Sequence, residues 1–180
     1  MERLLEQYSK TIAPQLAADF AFKNVMQVPK LIKVVVNVGV GKFLKDSKLI
    51  DAIAVDIAKI TGQQPVRNKA RKSIAGFKIR EGQVVGLSVT LRGEKMYSFM
   101  DKLINVAMPR IKDFHGSSSK GFDGRGNYHL GIKEHLVFPE ISTEAIDHSF
   151  SLEVSIVTNA GTDKPAKALL AAYHFPFKKD

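Results

Sequence analysis

The chain has 180 residues, 44% of them hydrophobic, which is enough apolar material for one buried core and argues against disorder as the resting state. A formal charge of +9 and a pI near 9.7 favour polyanionic partners: nucleic acid first, an anionic membrane surface second, acidic small substrates third. With no cysteine, disulfide frameworks, cysteine-ligated zinc, iron–sulfur clusters and thiol catalysis are excluded, a usage that fits the cytoplasm.

The opening MERLLEQYSKTIAPQL is charged and amphipathic, without the apolar stretch of a signal peptide, so a soluble intracellular protein is expected. Leu4, Leu5, Tyr8 and Ile12 follow helical spacing and predict a short helix that ends before Pro14, within an N-terminal helical region 1–20. Residues 31–41 alternate as a strand, with Ile32, Val34, Val36, Val38 and Val40 on one side and Lys33, Val35, Asn37, Gly39 and Gly41 on the other. Asp46 or Ser47 can cap a helix through Leu49, Ile50, Ile53, Ala54, Ile57 and Ile60, stopped by Gly62. Pro65 to Asn68 reads as an edge strand. The run VVGLSVTLR repeats the first strand's pattern, with Val85, Leu87, Val89 and Leu91 inward and Gly86, Ser88, Thr90 and Arg92 outward.

Gly93 introduces a helix from Glu94 to Met108, with Tyr97, Met100, Leu103, Ile104 and Ala107 at core spacing and Pro109 as its end. The Gly/Ser/Lys stretch DFHGSSSKGFDGRGN has no apolar period, and loops of that length are functional or mobile; the region 110–135 is expected to be a long extended loop. Tyr128, Leu130 and Ile132 predict a fourth strand, Phe150, Leu152, Val154 and Ile156 a fifth, and Pro165 to Tyr173 a last helix before the FPFKKD tail. This order predicts an α+β fold in one domain spanning 1–180: a mainly antiparallel sheet of about five strands, helices on one face, the other face open for a partner.

Charge is uneven along the chain. Residues 1–135 carry 23 basic and 12 acidic residues, whereas 136–180 carry 4 and 6. The densest part runs from Val66 to Arg80, where Arg67, Lys69, Arg71, Lys72, Lys78 and Arg80 are interrupted by no acid. A merely solvated loop usually mixes signs, so this one predicts contact with a polyanion. It lies between strands and contains glycine, unlike the basic amphipathic helix of a peripheral membrane binder.

Catalytic motifs find no support. Gly39 and Gly41 resemble the start of a dinucleotide fingerprint, but Leu44 holds the third glycine position and no acid follows to hold a ribose. GSSSKG at 116–121 has phosphate-loop spacing, yet Phe122 stands where lysine is required. The five histidines, His115, His129, His135, His148 and His174, form no metal pattern and read as surface or loop residues. A basic RNA-processing enzyme, such as a nuclease or methyltransferase, would need a carboxylate pair or cofactor loop that the sequence does not offer. No metal or cofactor is expected.

The outward residues of the two best strands are Lys33, Asn37, Gly39, Gly41, Ser88, Thr90 and Arg92: donors, acceptors and glycines, with no aromatic. Sheets that bind single-stranded RNA stack bases on aromatics. This face instead suits the backbone, 2′-hydroxyls and shallow minor groove of folded RNA, with glycines letting a phosphodiester backbone approach closely.

The strings VVVNVGVG (34–41), NKARKSIAGFKIREG (68–82), VTLRG (89–93), PRIKDF followed by FDGRGNYHLGIKEH (109–135), VFPEI (137–141) and FPF (175–177), in this order and spacing, closely resemble the family of bacterial large-subunit ribosomal protein five. The likeness spans essentially the whole chain. It implies an α+β domain that binds 5S ribosomal RNA and attaches it to the large-subunit ribosomal RNA in the central protuberance, a structural and non-catalytic role played as a monomer within the ribosome. The family's 5S contacts fall on Asn37, Gln63 and Thr90. Its loop to the peptidyl-site transfer RNA falls on the basic segment, implying contacts from Lys69, Arg71, Lys72, Ser73, Lys78 and Arg80. The stretch from Arg110 to about Glu144 matches the part facing small-subunit protein thirteen in an intersubunit bridge, implying Arg110, Lys112 and His115. This chain departs from many relatives at His115, Ser117 and His135, where arginine, an apolar residue and glutamine are usual.

Overall fold

A computed structural model describes residues 3–44, 46–141 and 149–178. The chain begins with α1 (Arg3–Gln7), a widened π turn over Tyr8–Ile12 and α2 (Ala13–Asp19), so helical structure continues through Pro14 instead of stopping before it. The widened turn accommodates the proline. Ala13 N–H reaches back five residues to the Tyr8 carbonyl, and Pro14 falls in the first turn of α2, where its missing donor costs least.

Five strands follow: β1 (Leu31–Gly39), β2 (Val66–Lys69), β3 (Val84–Leu91), β4 (Tyr128–Ile132) and β5 (Leu152–Thr158). They form one open antiparallel sheet in the order β2-β3-β1-β5-β4. Val34, Val36, Val38, Leu87, Val89, Leu91, Val154 and Ile156 project to the buried side. There they meet α3 (Ser47–Thr61), α4 (Gly93–Lys102) and α5 (Asp163–Ala172), most of whose buried residues belong to the same apolar cluster. Period-two strands against period-3.6 helices give the predicted α+β architecture.

Ile32 does not follow the predicted alternation. A register shift between Leu31 and Lys33 buries Leu31 and leaves Ile32 exposed, because a bulge turns one residue out of phase with its strand. β1 also ends at Gly39, and Gly41 opens a short helical turn beyond the sheet.

The α3 termini are as the sequence predicts. Asp46 accepts from the backbone N–H groups of Lys48 and Leu49, and Gly62 takes the left-handed conformation at φ +68°. The last carbonyls of α3 are further met by lysines of α4: Lys95 donates to Gly62 O and Lys102 to Ile60 O, the charge placement a helix C-terminus favours. Beyond α4 the chain stays helical through Leu103–Ala107 and Met108–Arg110, so Pro109 lies within the final turn and does not end it at Met108.

The Gly/Ser/Lys stretch carries more order than its composition predicts. Asp123 binds the backbone N–H groups of Arg125 and Asn127 and the Asn127 side-chain amide, which holds its carboxyl down at about 2. Phe122 packs against Tyr128 and Phe177, and Ser117 pairs with the C-terminal segment through Pro176 O and Lys178 N. Of the histidines read as surface or loop residues, His135 is 1% exposed and stacks on Phe150, while His129 belongs to β4. His148 and Glu144 lie outside the described residues.

Candidate RNA interface

Antiparallel pairing fixes which residues share the helix-free face. Across one row it sets Val66, Ser88, Asn37, Glu153 and Gly131 side by side. The next row holds Thr90, Val35, Ser155 and His129, and a third holds Asn68, Gly86 and Gly39. Asn37 and Thr90 therefore sit together on this face with Ser88. Gln63 joins them from outside the sheet: it follows the Gly62 cap, and its amide donates to Thr90 O at 3.3 Å. Three residues separated in sequence thus converge at the β1–β3 seam.

The chemistry of this seam is polar and incompletely paired. Asn68 donates to Ser88 Oγ at 3.1 Å. The Asn37 amide and the Thr90 hydroxyl make no hydrogen bond among the described residues, so both remain available to a partner. Gly39 also faces outward. A side-chain methyl built there would meet nothing within 4 Å, and its backbone is not left-handed, so neither packing nor conformation within the chain demands glycine. The positive groups lie at the margins: Lys33 is half-buried toward one end of β1, and Arg92 is exposed one residue past β3, at the cap of α4. Gly41 lies off the sheet end in its helical turn.

The basic segment between β2 and β3 is a small hairpin. Ile74 and Ile79 exchange backbone hydrogen bonds around a turn at Ala75–Phe77, and Lys78 closes that turn at φ +55°. Ser73 Oγ accepts from Glu81 N–H at 2.9 Å, and Gln83 ties the hairpin to Leu44 O. The Ser73 oxygen thus also organises the loop. Lys69, Arg71, Lys72, Lys78 and Arg80 are exposed and make no ion pair among the described residues, whereas Arg67 bends back to Asp51 at 2.7 Å. Arg67 is thereby withdrawn from the cluster that the sequence suggested. The hairpin tip, by contrast, is apolar: Phe77 is 74% exposed and Ile74 47%.

Arg110, Lys112 and His115 form a third group, exposed after the helical segment that ends at Arg110. Lys112 and His115 line a groove of about 550 Å³ shared with Phe114, Lys133, Glu134 and Lys178. Among the described residues no group of three or more metal-ligating side chains comes together, and no helix is long and apolar enough to cross a membrane.

The β4–β5 half of the open face was absent from the sequence-derived site. It contributes His129, Gly131, Glu153 and Ser155, with His129 Nδ1 2.9 Å from Ser155 Oγ. The signal was there: alternation that places Leu152, Val154 and Ile156 inward places Glu153 and Ser155 outward.

Residues 24–80 match the family model described as ribosomal protein L5, and residues 84–177 match the ribosomal L5P family C-terminus. The chain belongs to the ribosomal protein L5 family. It is 53% identical to large ribosomal subunit protein uL5 of Aromatoleum aromaticum over 178 residues, 99% of each chain. Identity is 54% to the uL5 protein of Halothermothrix orenii over 179 residues, 99% of this chain and 100% of that one. It is 54% again to that of Geobacter sulfurreducens over 178 residues, 99% of each. L5-family membership makes this a structural, non-enzymatic, RNA-associated constituent of the large ribosomal subunit, and so of the cytoplasm. The boundary between the two family matches falls in the β2–β3 hairpin, yet the sheet runs unbroken across it, since β1 pairs with β3 on one side and β5 on the other.

Proposed function

We propose that residues 1–180 act as one RNA-binding domain whose open sheet face binds 5S ribosomal RNA and attaches it to the large-subunit ribosomal RNA. The observation that carries this reading is the seam of Asn37, Thr90 and Gln63 beside a glycine that the fold does not need. Lys33 and Arg92, at the margins, supply phosphate affinity; Gly39, Gly41 and Ser88 let the RNA surface approach. The long region 110–135 and the β2–β3 hairpin extend the domain toward other partners. Lys69, Arg71, Lys72, Ser73, Lys78 and Arg80 on the hairpin touch peptidyl-site transfer RNA, and Arg110, Lys112 and His115 meet small-subunit protein thirteen across the subunit interface. Charge, exposure and resemblance to the family support both assignments. The protein works as a monomer within the ribosome and needs no cofactor.

Thr90→Val keeps the side-chain shape and deletes the donor and acceptor. It should cost about 1 to 3 kcal/mol of 5S RNA affinity, read by filter binding, once that hydroxyl is buried against RNA. Unchanged affinity would remove Thr90 from the site. Co-purification of 5S ribosomal RNA with the tagged protein tests the broader reading.

A further inference from the structure

The β4–β5 half of the face holds a carboxylate where an RNA surface is expected, which is unfavourable against phosphate and suited to a hydrogen-bond donor, such as a base N–H or a 2′-hydroxyl. Glu153 stands directly across from Asn37 on one side and Gly131 on the other. These residues, with Gly39, His129 and Lys133, line a shallow depression of about 560 Å³, more than the volume a single nucleobase occupies. Its floor is open: a methyl on Gly39 or Gly131 would meet nothing within 4 Å. The Glu153 side chain is 53% exposed and accepts no hydrogen bond among the described residues; His129 Nδ1 lies 3.8 Å from its Oε1. The histidine ring is oriented by Ser155 Oγ at 2.9 Å and is the one aromatic surface lining the depression.

We propose that this depression takes an unpaired guanine of the bound RNA, with Glu153 as the specificity-determining residue. This rests on the reading that the open face binds 5S ribosomal RNA. An ionised carboxylate only accepts hydrogen bonds, and guanine is the base whose Watson–Crick edge presents two adjacent donors, N1–H and the N2 amine. Adenine and cytosine offer an exocyclic amine with a ring acceptor beside it, and uracil a single N–H. The Asn37 amide can donate to guanine O6 from the neighbouring strand, and the His129 ring supplies a stacking surface. The carboxylate disfavours a phosphate at its own position, while Lys133, which lines the same depression, can meet the backbone beside the base.

The sign of one substitution tests this. Glu153→Gln removes a negative charge from a face that binds a polyanion, so a merely solvated Glu153 predicts unchanged or tighter binding. The base-reading role predicts weaker binding to in vitro transcribed 5S ribosomal RNA, by about tenfold to a hundredfold, the range for loss of one bidentate base contact. The salt dependence of binding should stay the same, because no phosphate contact is lost. Kethoxal, which modifies guanine at N1 and N2, should find a guanine protected in the wild-type complex and reactive in the Glu153→Gln complex; inosine at that position should weaken wild-type binding. Unchanged or tighter binding overturns the proposal, as does weakening without a change in any guanine's protection. If wild-type protein fails to bind 5S RNA at all, the reading of the whole face fails; if it binds and Thr90→Val weakens it while Glu153→Gln does not, only the guanine site fails.

Discussion

Two glycines of this chain serve opposite ends. Gly126 is required from within: its φ is +82°, and a methyl there would lie 2.9 Å from Thr162 O. Gly39 is free of both constraints and faces outward. Gly126→Ala should therefore lower the melting temperature, whereas Gly39→Ala should leave melting nearly unchanged and weaken RNA binding. Asp123 makes a second prediction at this scale. Its carboxyl is held at about 2, first by the Asn127 side-chain amide and further by the Arg125 and Asn127 backbone N–H groups. Because the folded value lies below the usual carboxylate value, the contribution of this turn is fully present above pH 4 or so and is lost as pH falls toward 2. The Asn127 amide resonances should report that loss; a transition centred near the ordinary carboxylate value would show that the carboxyl is not held down by the turn.

Elements carry the division of labour. The β2–β3 hairpin is braced at its base by Ser73 and Gln83, so its charged side chains project from a defined frame. Among the described residues, none of Arg71, Lys72 and Lys78 makes a hydrogen bond or ion pair with the Asn37–Thr90 seam. Neutralising the three should leave affinity for isolated 5S RNA nearly intact while weakening transfer-RNA retention on assembled ribosomes. A large loss of 5S binding from that triple variant would move the hairpin into the 5S interface. The exposed Phe77 and Ile74 at its tip escaped the sequence reading because single apolar residues in a charged loop carry no periodic signal. Strands and α3 were legible because alternation and capping residues are local properties. The helix ends were less so: Pro14 and Pro109 read as stops, yet the widened turn before one and the final helical turn around the other accommodate them.

For the whole molecule, net charge measures affinity and the sheet measures fit. Basic groups stand around the open face more than on it, as Lys33 and Arg92 do, while amides, hydroxyls and one carboxylate occupy its rows. RNA affinity should fall steeply with salt. Replacing Lys33 or Arg92 by glutamine should flatten that dependence by about one released counterion if the residue meets a phosphate, whereas Thr90→Val should shift the line without changing its slope. An unaltered slope in both lysine and arginine variants would place the phosphate contacts elsewhere.

From its residues alone the chain determines an α+β fold, one buried sheet face, a polyanion as partner and, through its strings, its ribosomal family, because burial periodicity, capping and charge are written locally. Asn37 and Thr90 were already on one face by alternation. Only the tertiary structure brings Gln63 to Thr90 across the helix cap, turns Ile32 out through a bulge, buries His135 against Phe150 and sets Glu153 opposite Asn37. Each of these depends on strand order and register, which relate residues far apart in the chain and leave no mark on the pattern of any one segment.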